Sequence, residues 1–356
     1  MTSVVNLNFY TKKPLRKERL FFSFDSMVKV GSFIVLMLLA ACSSAPELVQ
    51  MTNQGPAQGS TYSISYLVPA GVDHREDIDS ILLEMDHQMS LWVNESDVSR
   101  LNRGDTILLS LDLAEVLRRS KEYALLTDGN FDVTIAPLIK SWGFSRGTYN
   151  EQINIDSLMS FVGSRFLKEP FKDSIYWLPK GYEIDVNGIA QGYTVDRIAG
   201  FLTRRGIVNY LVEVGGEVIC SGVKNSGDAW RIGIDMPTED RGEGMFQTIV
   251  TLDSMALATS GNYRKYWVND KGQKVVHSIN PKTGYPVVSN LLSSSVIAPT
   301  AVLADALGTA CMIMGVEMAS SFIESLPHVE GYFIVSNKLG DIEVVTTSGW
   351  EPYEFN

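Results

Sequence analysis

A chain of 356 residues, 45% hydrophobic and 20% charged, holds enough apolar material for one large or two ordinary domains with real cores. That composition argues against disorder, and the formal charge of −11 argues against nucleic acid as a partner, since phosphate backbones are bound by basic surfaces. An acidic protein that handles a phosphorylated ligand needs a cation between the two.

In chain order, the first signal is the apolar run Val30–Ala41, VGSFIVLMLLAA. It is too short for the ~20 helical residues that cross a bilayer and suits the core of a signal peptide. It ends in Leu39-Ala40-Ala41-Cys42, which resembles a lipobox, where small residues precede a cysteine that is diacylated and becomes the new N-terminus. Two acyl chains anchor firmly where one is marginal. Residues 1–41 therefore read as a lipoprotein signal peptide, with Met27 as an alternative start, and residues 42–54 as a tether. The competing reading is an ordinary cleavage site with Cys42 incidental. Ser43 after the cysteine, rather than Asp, favours the outer membrane in a Gram-negative cell.

Alternation predicts a strand over Thr61–Val68, and the 3–4 spacing of Ile78, Ile81, Leu82, Met85 and Met89 predicts a helix over Arg75–Ser90. A second helix is expected over Leu111–Leu126, stopped by Thr127-Asp128-Gly129, and a third over Thr194–Arg205, closed by Gly206. Tyr210–Val214, Trp230–Asp235, Gln247–Leu252 and Tyr332–Val335 read as strands, and Thr300–Met314 as a helix after Pro299. There is no βαβ rhythm, no GxGxxG after a strand and no repeat, so the pattern is mixed α and β with antiparallel sheet. No linker interrupts residues 55–350, and 55–356 is taken as one domain. Cys220 and Cys311 are no disulfide framework and read as small apolar residues; the absence of CxxC leaves zinc unsupported.

Several loop-like segments carry chemistry. Asp305 and Thr309 lie four apart on the last expected helix, so both oxygens face one way. A carboxylate and a hydroxyl are hard ligands suited to Mg²⁺; the bland alternative is a capping Asp with Thr309 bonded back to the helix. Asp185–Gly192, DVNGIAQG, passes from strand to loop to helix, with two glycines that allow close approach of a ligand. Trp92, after Met89-Ser90-Leu91, is either a stacking platform or core. Thr259-Ser260-Gly261 with Tyr263-Arg264 is a donor-rich turn, and His277–Gly284, HSINPKTG, a rigid one. His277 is the one histidine with a motif around it, and its role stands open between structure and acid–base chemistry; His74, His87 and His328 read as surface or packing.

Taken together, Met89-Ser90-Leu91-Trp92 with Ser96 and Leu101-Asn102, then GNFDVTIAPLIKSWGF (129–144), DVNGIAQGYTVDRI (185–198), VEVGGEVICSG (212–222), ATSGNYRKY (258–266), HSINPKTGYPV (277–287) and VIAPTAVLADALGTACMIMG (296–315) resemble the ApbE-type FAD:protein FMN transferase family. The segments stand in the family's order and span Gly55 to Trp350. The resemblance implies an α+β fold of two related α/β portions with antiparallel sheets and packed helices, with FAD in the cleft between them. It implies Mg²⁺-dependent transfer of FMN from FAD to a Thr or Ser hydroxyl of an acceptor flavoprotein, with release of AMP.

By the same resemblance, the metal ligands are Asp305, Thr309 and a backbone carbonyl at Gly188. FAD contacts are Gln58, Trp92, Gly129, Asn130, Phe131, Asp185, Gln191 and the backbone of Ile279, with Asp305 and His277 as the catalytic pair. Two positions depart from the family: Gln58 stands where Met is usual, and Gln191 where Lys or Glu is common. Thr134, Pro137 and Trp142 are expected as scaffold and Asp196 as a structural carboxylate. Implied partners are exported flavoproteins, such as subunits of membrane redox pumps. The implied location is the bacterial envelope, periplasm-facing and held by the lipid on Cys42. If water replaces the acceptor hydroxyl, the site becomes an FAD pyrophosphatase yielding FMN and AMP. A non-catalytic FAD-binding lipoprotein is the alternative of another class.

Overall fold

The computed structural model describes residues 47–145, 149, 154–237, 246–262, 266–268 and 274–355. Cys42, Met27 and the expected signal peptide lie outside the described residues, as do Tyr263 and Arg264. From Leu48 on, the chain folds as one unit.

The strands are β1 (Leu48–Ala57), β2 (Ser60–Pro69), β3 (Ile107–Leu108), β4 (Ile175–Tyr176), β5 (Tyr210–Val214), β6 (Glu217–Ser221) and β7 (Trp230–Asp235). They continue as β8 (Phe246–Leu252), β9 (Met255–Gly261), β10 (Tyr266–Val268), β11 (Lys274–Val276), β12 (Leu291–Ala298), β13 (Glu330–Ser336) and β14 (Ile342–Thr346). The helices are α1 (Arg75–Met89), α2 (Asp97–Asn102), α3 (Leu111–Leu126), α4 (Ala136–Ser141), α5 (Ile155–Met159), α6 (Ala190–Arg204), α7 (Ala301–Met314) and α8 (Val316–Glu324).

Eight strands form one antiparallel sheet in the order β1-β2-β5-β6-β9-β12-β13-β14. The expected α+β architecture with antiparallel sheet is what the chain adopts. The N-terminal and C-terminal portions share that sheet, joined where Val218 of β6 faces Leu257 of β9. Alternation sorts side chains onto two faces. Val212 and Val214 of β5 and Ala256 of β9 face α1, α3 and α6, whereas Phe333 and Val335 of β13 face α7 and α8. On the other face Val218, Cys220, Leu257, Ile297 and Ile334 pack against the β7–β8 ribbon and Trp350. The result is three layers: helices, the large sheet, and a small ribbon behind it.

Local chemistry sets the boundaries. The β1–β2 hairpin turns at Gln58 and Gly59, both at positive φ (49° and 75°), the two-residue geometry that matches strand twist. Ser96 and Ser110 cap α2 and α3, each oxygen accepting a backbone N–H from three residues on. Residues 48–54, expected as tether, form most of β1. The segment LVQMTNQ lacks clean alternation because Asn53 turns inward, where it donates to Asp73 at 3.0 Å and accepts from the Tyr66 hydroxyl at 2.8 Å. Helix α6 starts a turn earlier than the expected Thr194, because Gly192 acts there as a close-packing residue rather than a breaker.

Candidate active site

Helices α6 and α7 cross with their carboxylates exchanged. Asp196 of α6 accepts the Ala301 and Val302 N–H groups at 2.9 Å each, supplying the N-terminal cap that the Thr300 side chain does not provide. Asp305 of α7 accepts the Gly192 N–H in the first turn of α6 at 3.0 Å. The crossing is so close that a Cβ on Gly192 would run into the Ala301 carbonyl and come within 2.8 Å of Asp305 Cβ.

Both carboxylates suffer from burial. Desolvation is the main cause in each case; it pushes Asp196 up to about 6 and, with the like charge of Asp196 beside it, Asp305 up to about 7. For Asp305 only the Gly192 N–H pulls the other way among the described residues, with no positive side chain among them to balance the charge. One turn on, Thr309 is half-buried and its hydroxyl makes no hydrogen bond among the described residues, so the back-bonded alternative is not what the helix shows. Gly188 stands against it: a Cβ there would lie 3.0 Å from Thr309 Oγ1 and 3.5 Å from the Phe131 ring. Thus Gly188, Asp305, Thr309 and Phe131 converge at the start of α6. Among the described residues no group of three His, Cys, Asp or Glu forms a metal cluster. What stands here instead is one carboxylate and one hydroxyl beside the Gly188 backbone. The uncompensated buried charge and hard oxygens fit a small divalent cation.

Two glutamines border the same turn. Gln58 Nε2 donates to Thr194 Oγ1 at 2.7 Å, and that hydroxyl spends its own proton on the Ala190 carbonyl at 2.8 Å. The amide orientation is thereby fixed, and Gln58 Oε1 is left buried without a partner among the described residues. The side chain of Gln191 packs on the β5–β6 turn, where Gly215 has no room for a Cβ.

The remaining expected residues sit on neighbouring loops. Asp185 shapes its own loop, its Oδ1 accepting the Asn187 N–H at 2.9 Å, while its N–H bonds the Val133 carbonyl at 2.7 Å. Gly129 (φ 74°) follows α3, and Asn130 donates to the Thr127 carbonyl at 2.7 Å, which turns Phe131 into the core. Asp128 and Lys282, 2.8 Å apart, tie this turn to the 277–284 turn. In that second turn Ile279 is buried against Leu138 and Ile155 and faces Pro286. The bridging bonds run through Ser278 and Asn280, and among the described residues the N–H and C=O of Ile279 take no part in them. His277 is half-buried, its ring 6.3 Å from that of Phe144 and edge-on to it. Trp92 is 61% exposed, which removes the core alternative.

A cavity of about 520 Å³ is lined by Leu91, Ser99, Asn102, Arg103 and Lys140 among others and by no residue of α7. Sequence reasoning gave Asn102 no role, yet its amide both donates to and accepts from the Ile184 backbone at 2.8 Å, clamping the loop at Asp185. A lone Asn closing a short helix carries no signal of a partner so distant in sequence. The Asp128–Lys282 tie was missed for the same reason.

Solved flavin transferases share this architecture. The flavin transferase ApbE of Vibrio cholerae superposes with a TM-score of 0.73 at 29% identity, over 86% of this chain and 99% of that one. The apo flavinyl transferase ApbE of Pseudomonas stutzeri gives 0.75 at 29%, over 86% and 97%. Among curated relatives, the FAD:protein FMN transferase of Vibrio cholerae serotype O1 is 33% identical over 301 residues, covering 82% of this chain and 88% of its own. That of Escherichia coli K12 is 32% identical over 320 residues, covering 84% and 90%. Fold and relatives define the class as flavin transferase. The chain belongs to the ApbE family, whose model matches residues 58–333.

Proposed function

We propose that this protein transfers FMN from FAD to a Thr or Ser hydroxyl of another protein and releases AMP. The observation that carries the reading is the convergence of Gly188, Asp305 and Thr309 at the crossing of α6 and α7. Asp305, Thr309 and the Gly188 carbonyl would hold Mg²⁺. Bound there, the ion supplies Lewis-acid stabilisation of the negative charge that develops on AMP as it leaves.

The chain's own groups bind and orient. FAD lies across the first turn of α6, with Gln58 Oε1 accepting a ligand donor and Gln191, Phe131, Gly129, Asn130 and the Asp185 loop along its length. Trp92 offers a ring face, and the Ile279 backbone takes the far side. The acceptor oxygen attacks the FMN phosphorus, the bond from that phosphorus to the AMP phosphate breaks, and the hydroxyl proton passes to a base, a role assigned to His277. Hydrolysis uses the same steps with water as the acceptor. We further propose that residues 1–41 are a signal peptide and that Cys42 is lipidated, placing the enzyme in the bacterial envelope near exported flavoprotein acceptors. No helix among the described residues is long and apolar enough to cross a membrane.

The test is incubation with FAD, Mg²⁺ and an acceptor domain, followed by acceptor fluorescence and intact mass. An FMN adduct is expected; FMN and AMP formed without any adduct would reassign the enzyme to hydrolysis. Asp305→Ala with undiminished turnover would remove the metal assignment.

A further inference from the structure

The β3–β4 ribbon carries apolar side chains that no core uses. Ile107 and Tyr176, opposite one another, are buried, so their neighbours Leu108 and Ile175, also opposite one another, point outward, 65% and 67% exposed. Trp177 continues the face of Ile175, and Phe171 stands exposed at the turn leading into β4, its carbonyl bonded by the Ser174 N–H. Exposed apolar residues scattered singly are normal on any protein. Four on one ribbon and its turn are not scattered.

Cations surround them. Lys168 Nζ lies 2.9 Å from the Trp177 ring centre and Arg165 lies 4.6 Å from that of Phe166, with Lys172 and Lys180 exposed nearby. The acids of this stretch, Glu169 and Asp173, are already met by Lys121 at 2.7 Å and Lys172 at 3.7 Å. In a chain of net charge −11, this is a locally cationic, apolar face.

We propose that this ribbon docks on an anionic phospholipid surface, with Leu108, Phe171, Ile175 and Trp177 entering the headgroup region and Arg165, Lys168 and Lys180 meeting lipid phosphates. Apolar tips that stand on a ribbon, rather than lining a groove, suit a fluid apolar layer, and long basic side chains keep their charge at its boundary. An acidic protein partner would match the cations but not call for the apolar tips. The proposal concerns the folded unit alone and stands independently of Cys42 and of flavin transfer.

The test uses the unit Leu48–Asn356, which carries no lipid, in co-sedimentation with phosphatidylcholine vesicles and with vesicles containing phosphatidylglycerol. Binding is expected to the anionic vesicles only and to fall as salt is raised. Neutralising Lys168 or Lys180 should weaken it by about fivefold each. Phe171→Glu with Ile175→Glu should abolish it; these exposed positions leave folding intact, checked by circular dichroism. No sedimentation with either vesicle overturns the proposal, as does equal sedimentation of wild type and the double variant. A concentration-dependent dimer dispersed by Ile175→Glu, without vesicle binding, overturns it in favour of self-association.

Discussion

At the scale of single residues, Asp305 is the group most out of place without a counter-charge. It is buried, beside another carboxylate, with one backbone donor. Asp305→Asn keeps an acceptor for the Gly192 N–H and removes the charge. The variant is expected to melt no lower than wild type in the absence of divalent cation, since an unpaired buried charge is itself unfavourable. It should lose the rise in melting temperature that Mg²⁺ gives wild type and at least about 100-fold in turnover, beyond the loss typical of an outer partner of a metal ligand. Gln58 has the opposite problem: a carbonyl oxygen buried without a donor among the described residues, which costs about 1–3 kcal/mol. Gln58→Met should leave the free protein at least as stable in urea melts while weakening FAD binding, measured by fluorescence titration. At this scale the spacing of Asp305 and Thr309 placed them one turn apart on one helix, and the structure carries both on α7, with Thr309 beside Gly188. The sequence marked Asn102 only as part of a segment and did not name its partner Ile184, which comes from another part of the chain.

Between elements, the reciprocal bonding of α6 and α7 decides how the site is held. Asp196→Ala removes the acceptor of two N–H groups at the start of α7 and is expected to cost about 1–2 kcal/mol, read from denaturant midpoints. Gly192→Ala forces the two helices apart and should cost about 1–3 kcal/mol. Because Asp305 is carried on the displaced helix, the Mg²⁺ concentration needed for half-maximal activity should rise in the same variant. Elements with clear periodicity were legible: the structure places α3 at Leu111–Leu126 and β5 at Tyr210–Val214, matching the spacing of their apolar residues. Elements whose burial is polar were not. The run Ser293-Ser294-Ser295 in the middle of β12 is buried without apolar alternation, so β12 was not among the expected strands, and Asn53 hides β1 in the same way.

For the molecule as a whole, the two remaining cysteines report on opposite faces of the sheet. Cys220 lies in the layer facing the β7–β8 ribbon and Cys311 in the helical layer, and burial pushes both thiols up to about 12. Near pH 8 each is a protonated, enclosed thiol, and the thiolate is the reactive form. Iodoacetamide is expected to leave both unmodified in the folded Leu48–Asn356 unit and to label both in guanidinium, followed by mass spectrometry. Labelling of one cysteine ahead of the other under mild denaturant would show the two faces opening separately.

The order of the large sheet also sets a timetable. Strand β2 pairs on one side with β1, its neighbour in sequence, and on the other with β5, after residues 70–209 have intervened. Strands β9, β12, β13 and β14 have far shorter connections. A chain made from its N-terminus therefore produces the β1–β2 hairpin first and must leave one edge of it open while the helices α1 to α6 are made. An isolated hairpin is marginal in water, and closing so long a loop is slow. In refolding from denaturant, amide protection is expected to arise first across β12–β13 and last across β2–β5, so that the turn bearing Gln58 is among the last parts of the site to take its place.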